Sequence, residues 1–312
     1  MSQTTTCRTL HRPREDNPRI GFLWALASVT LPSAVFYIIP TLSAELGVWG
    51  TSAVWFPLAT GLYLVLGLSL GGPSRLRIDR GQRLKVILLG LVQTTGTALF
   101  FFALSNARPA LVSFVNNLTP VLAAVGSLLI YRERFRWPQV LGGVLVVGGA
   151  LMLTYYDESG SLPGILFMAA GSVFYAAHGL LARHLAKRVD PVALGFWRTG
   201  LMAVCFVVLA LVQGRFQLPT AGRTWLLLGL GALLGPVGSI YPYYLALERW
   251  TVGKVTLVRG SMPVWVLVWG LVLYGTAPEG LQLLGGALTL VGAALIILYR
   301  RRKDGAASGR GD

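Results

Sequence analysis

Apolar residues run along this chain in blocks rather than in alternation. Ten stretches, at about 20–41, 50–71, 84–105, 109–131, 137–156, 162–184, 191–213, 224–247, 251–274 and 279–299, are dominated by Leu, Val, Ala and Gly, with short polar segments between them. A helix rises about 1.5 Å per residue, so each block is long enough to cross a hydrocarbon core of roughly 30 Å. The pattern predicts an all-α integral membrane protein with ten transmembrane helices. Composition points the same way: 54% of residues are apolar and only 12% are charged, against about 25% charged in a soluble domain.

The net charge of +15 would suggest nucleic acid in a soluble protein, but its placement changes that picture. Basic residues gather in every second loop: "RGQRLK" after the second span, "YRERFR" after the fourth, "RHLAKRVD" after the sixth and "YRRRK" after the tenth. The intervening loops "TLSAELGVW", "YYDESGS" and "YGTAPEG" hold no Lys or Arg. Of the 27 basic residues only Arg108, Arg215 and Arg223 fall on the opposite side, and Arg198 and Arg259 lie within spans. This bias predicts a multi-pass protein of the cytoplasmic (inner) membrane with both termini cytoplasmic. Basic charge here is topology, and nucleic-acid binding is discounted. Segment 20–41 is longer than a signal-peptide core and lacks a cleavage pattern, so it is expected to stay. Cys7 and Cys205 suggest no disulfide framework.

Shifted by 143 residues, the chain overlays itself without a gap over a long stretch. "FVNNLTPVLAAVGSLLIY" (114–131) falls on "LVRGSMPVWVLVWGLVLY" (257–274), and "QVLGGVLVVGGAL" (139–151) on "QLLGGALTLVGAA" (282–294). Shared Pro, Gln and paired Gly at fixed spacing exceed what chance similarity between Leu-rich helices explains. The predicted organisation is a tail (1–19), a first five-helix repeat (20–156), an extracytoplasmic linker (157–161), a second repeat (162–300) and a tail (301–312). An odd number of spans per copy inverts the second copy, the architecture of secondary transporters with a site at the repeat interface.

The two five-helix repeats, "YRER" after the fourth span with "LGGVLVVGGALML" in the fifth, and "FYAAHGLLARHLAKRVDPVALGFWRTG" across spans six and seven resemble the drug/metabolite transporter superfamily, in its ten-helix EamA-type branch. The resemblance covers roughly 20–300. It implies export of metabolites, amino acids or drugs, with or without a coupling ion. One departure is that Thr276 stands where the shift would place a counterpart of Glu133, so any role of that acid carries over to Glu133 alone.

Ser113, Asn116, Asn117 and Pro120 are spaced to share one helix face, and Thr256, Arg259, Gly260 and Pro263 occupy the equivalent places in span nine. The two stripes should face each other across the pseudo-two-fold axis and line a polar cavity near the midplane. Arg259 lies about seven residues, roughly 10 Å, inside its span. It either snorkels or bonds to backbone carbonyls, or it receives a substrate carboxylate, for which its fork is suited. No Asp or Glu sits at mid-span to neutralise it. Arg198 lies at similar depth with the same two readings. Tyr241, Tyr244 and Glu248 share a face of span eight; Trp24, Tyr175 and Gln93 are further substrate-contact candidates. His178 is the one histidine well inside a span, either a proton carrier or a neutral structural ring. His178, Arg198, Glu248, Pro120 and Pro263 are the candidates for coupling or gating.

The glycine pairs Gly142–Gly143, Gly148–Gly149 and Gly285–Gly286 lie mid-span, where small residues let helices approach. No P-loop, metal-ligand cluster or nucleophile–base pair is present in the sequence, so neither a cofactor nor an enzymatic activity is expected. The expected function is a secondary transporter exporting a small amphipathic metabolite, an amino acid or related carboxylate, by alternating access. Efflux of lipophilic cations and flipping of a lipid head group are the alternatives. The partners are a small-molecule substrate and membrane lipid, with proton coupling and exchange both open; a monomer suffices and a dimer is compatible.

Overall fold

The computed structural model describes residues 18–119, 121–123, 137–138, 141–145, 162–186, 188–249, 258–275 and 283–288, with isolated positions at 126, 148–149, 255, 280, 290–292 and 295. All regular structure among them is helical, as a lipid environment demands of backbone groups that have no water to bond. Pro120, Glu133 and Thr256, together with large parts of spans five and ten, fall outside the described residues.

Span one comprises α1 (Pro18–Ala27), a 3-10 turn (Leu31–Ala34) and the first limb of α2 (Val35–Gly71). The second limb of α2 is span two. The expected loop "TLSAELGVW" does not form: helix runs on to Gly47, whose φ of 69° and ψ of 166° reverse the chain at a single residue. A side chain there would clash with its own backbone, so the turn needs glycine. Span three is α3 (Arg80–Asn106), span four begins with α4 (Pro109–Val115), span six is α5 (Leu162–Leu185) and span seven is α6 (Pro191–Val212). Span eight is α7 (Gly222–Ala232), a π-helical turn (Leu233–Val237) and α8 (Gly238–Arg249); span nine ends with α9 (Met262–Tyr274). Large apolar side chains such as Val65, Leu84 and Val212 stand exposed on the outer faces, where lipid would cover them.

Several spans break in mid-course, and the causes can be read locally. In a regular helix the Ser28 carbonyl would accept from the N–H of residue 32, which is a proline. Span one opens there, at Ser28–Thr30. Span eight widens to a π turn around Pro236, whose carbonyl accepts a hydrogen bond from the Tyr63 hydroxyl at 2.9 Å. Span four turns at Asn116–Asn117 and span nine at Gly260–Ser261. The continuous helical face expected for each stripe therefore ends at these turns. The Ser113 hydroxyl donates back to the Ala110 carbonyl within its own helix.

The packing has the symmetry that the repeat implies. Span two packs on seven, three on six, one on eight, three on seven, two on eight, two on three, seven on eight, four on nine, four on six, and nine on one. Exchanging one with six, two with seven, three with eight and four with nine maps these contacts onto one another, while the smaller contacts of span four with α3 and α2 have no counterpart among the described residues. The self-paired contacts, two with seven and four with nine, mark the axis. There the Asn117 amide donates to the carbonyl of Gly260, its own repeat equivalent, at 3.3 Å.

Candidate functional site

Where the broken spans meet, they enclose a cavity of about 260 Å³. Its floor is aromatic. Phe36 and Phe100 meet edge-on with centroids 5.0 Å apart, and Trp55 and Phe56 both lean on Phe101 at 5.8 and 6.3 Å. Its middle is polar, with Gln93, Thr97, Asn116, Asn117, His178, Arg198, Ser239 and Arg259 on the wall. The lining extends along span six to the exposed Arg183, near the end of that helix.

Arg259 is held by neutral groups. Its Nη1 donates to the Ser28 hydroxyl at 3.1 Å, to the Ser28 carbonyl at 3.3 Å and to the Ser239 hydroxyl at 3.5 Å. Its guanidinium carbon sits 4.7 Å from the centroid of the Tyr243 ring, within cation–π range. The carbonyl that Pro32 cannot bond is thus capped by the arginine, and by Ser239 at 3.1 Å. Carbonyl bonding and a cavity-facing position, weighed as alternatives from sequence, coexist here. No carboxylate lines the cavity among the described residues.

Arg198 is more isolated. It is 2% exposed, yet its Nε and Nη2 have no hydrogen-bond partner. On the same wall His178 Nε2 and Gln93 Oε1 are also buried and unpartnered; the Gln93 amide donates to Thr97 Oγ1 at 3.1 Å. Buried polar atoms are ordinarily paired. A cluster of them on one cavity makes it the candidate site for a polar ligand.

The structure therefore brings seven of the residues singled out from sequence onto one wall: Gln93, Asn116, Asn117, Tyr175, His178, Arg198 and Arg259. Others lie elsewhere. Tyr244 is fully buried behind the wall, and Tyr243 takes the position expected of it. The lining face of span eight is Pro236, Ser239, Ile240 and Tyr243, at i, i+3, i+4 and i+7, one residue out of phase with the expected face of Tyr241, Tyr244 and Glu248. Trp24 packs against a second apolar cluster around Tyr244 and Leu247. Pro263 is buried in the first turn of α9, and Glu248 stands in the last turn of α8; neither lines the cavity. Sequence reasoning missed Ser28 and Ser239, although a serine four residues before a mid-span proline was a readable sign of a freed carbonyl. It also missed the aromatic floor, because Trp55, Phe56 and Phe101 read as ordinary apolar residues.

Comparison with known proteins places this geometry in a family. The EamA-like transporter family matches the chain twice, at residues 19–155 and 162–298. The chain is 25% identical to a riboflavin transporter of Vibrio cholerae, over 92% of this chain and 96% of that protein. It is 28% identical to the aromatic amino acid exporter YddG of Ancylobacter novellus, over 80% and 88%. It is 26% identical to a probable terminal-alkyne amino-acid exporter of Streptantibioticus cattleyicolor, over 90% and 96%. A solved crystal structure, 24% identical and covering 90% of this chain and 98% of its own, superposes with a TM-score of 0.67 and shares the fold. Two family matches, one on each half of a membrane-embedded helical chain whose halves pack symmetrically, make this protein a member of the EamA-like transporter family of the drug/metabolite transporters.

Proposed function

We propose that the protein exports a small amphipathic carboxylate, an amino acid or a close relative, across the cytoplasmic membrane by alternating access. The observation that carries this is a cavity walled by Arg198 and Arg259, with Arg183 at one end, by no carboxylate among its described residues, and floored by aromatic rings. A guanidinium fork suits a carboxylate, and the rings suit an apolar side chain. Gln93 Oε1 offers an acceptor for an ammonium group. At about 260 Å³ the cavity is below the roughly 300–1,000 Å³ usual for drug-sized ligands, which favours a metabolite over a bulky lipophilic cation. Relatives named as amino acid exporters support the same substrate class.

With the basic loops on the cytoplasmic side, the Arg183 end of the cavity opens inward and the aromatic floor faces outward. This is the loading state of an exporter. Rocking of one repeat against the other about the span-four/span-nine contact would close the Arg183 end and part the floor.

Uptake into liposomes by the purified protein tests this. Labelled phenylalanine should accumulate with the wild-type protein and not with Arg259→Ala at equal yield. Movement of tetraphenylphosphonium at equal rates in both, with no amino acid movement, would overturn the proposal.

A further inference from the structure

Besides the exposed Arg183 at its end, the cavity holds two further guanidiniums, and only one of them is accounted for by its neighbours. Arg259 has Ser28, Ser239 and the face of Tyr243. Arg198 has none of these. Its Nε and Nη2 are unpartnered, at 2% exposure, on a wall without a carboxylate among the described residues. Both guanidiniums lie on the same lining with His178 and Tyr175, so they act on a common space. A buried charge that lacks a counter-charge is costly. A single carboxylate on Arg259 would leave that cost in place at Arg198, and the ammonium of an amino acid, received by an acceptor such as Gln93 Oε1, would not relieve it.

We infer that Arg198 receives a second anionic group of the substrate, so that the preferred cargo is an apolar body bearing two carboxylates. This rests on the carboxylate-export reading above and narrows it. The unpartnered Nε and Nη2 form one side of the guanidinium fork, the geometry that takes a carboxylate bidentately. His178 Nε2 and Gln93 Oε1, also unpartnered on this wall, are available to a protonated or amide part of the same molecule. The aromatic floor remains free for the apolar body.

The test is calorimetric binding to the full-length protein in nanodiscs, using 3-phenylpropanoate, with one carboxylate, and benzylsuccinate, with two. Wild type should favour benzylsuccinate by about tenfold or more, the scale of one charge-assisted contact. In Arg198→Gln that ratio should fall close to one. Arg198→Lys, which keeps the charge and loses the fork, should retain part of it and guards against a folding artefact. Equal affinity of the wild type for both acids would overturn the second-anion inference while leaving carboxylate export standing. A preference undiminished in Arg198→Gln would remove Arg198 from it. Binding of neither acid, with binding of tetraphenylphosphonium, would refute the underlying carboxylate reading.

Discussion

Gly231 stands where span eight meets the indole of Trp55, the fully buried ring that forms part of the cavity floor. A Cβ at this position would overlap Trp55 Cη2 and Cζ3. The next nearest ring atom, Cζ2, would be 2.8 Å away, still short of the 3.4 Å at which ordinary contact begins. The indole is large, meets the Phe101 ring edge-on and lines the cavity with it, so the displacement that Gly231→Ala forces should reach the cavity. Overpacking of this kind costs about 1–3 kcal/mol. At roughly 2–4 °C per kcal/mol, the slope for domains of about 150–250 residues, the melting temperature should fall by about 2–12 °C. Because the floor would rise into a space of about 260 Å³, the KM for an aromatic substrate should rise more than that for alanine. Thermal unfolding of the purified protein and liposome uptake of both substrates read the two effects. Trp55→Phe removes the three crowded ring atoms, so the double variant should recover stability relative to the sum of the single changes, with a coupling of about 0.5–3 kcal/mol. An unchanged melting temperature and unchanged KM in Gly231→Ala, or strict additivity in the double variant, would refute the proposed contact.

Other consequences follow from the same packing. Gly47→Ala places a side chain at φ 69° and ψ 166° and should lower the melting temperature, at a cost of about 1–3 kcal/mol, while leaving substrate affinity near wild type. Asn117→Leu removes the bond to Gly260 across the repeat axis; transport rate should fall more than binding affinity, which single-turnover efflux against equilibrium binding would separate. Asp190 accepts from the Val192 N–H at 2.8 Å and from Arg75 Nε at 3.0 Å. Asp190→Asn can keep the helix cap and should cost little, because partly exposed ion pairs are weak; Asp190→Ala should cost about 1 kcal/mol by losing the cap. Comparison of their unfolding midpoints checks this ordering.

Much of the architecture was legible before any coordinates. Blocks of about 20 apolar residues dictate spanning helices because lipid leaves the backbone no other partner. The 143-residue shift that pairs Pro120 with Pro263 also pairs Asn117 with Gly260, and those two residues touch in the fold. Buried arginines stood out because guanidiniums are rare in such company. What stayed hidden was phase. The π turn at Leu233–Val237 intervenes between the two helices of span eight, and the wall-facing tyrosine is Tyr243 rather than Tyr244; no periodicity in the sequence marks such a turn. Gly47 was equally silent, since one glycine among 38 does not announce a reversal. The aromatic floor depends on which faces of spans one, two and three converge, which is tertiary information.

The most direct test of the account is the position of a bound carboxylate substrate in a structure determined with phenylalanine or benzylsuccinate. A carboxylate should lie within about 3 Å of the Arg259 guanidinium, with the phenyl ring against Trp55 and Phe101. A ligand seated outside this cavity, or one whose carboxylate points away from both Arg259 and Arg198, would contradict it.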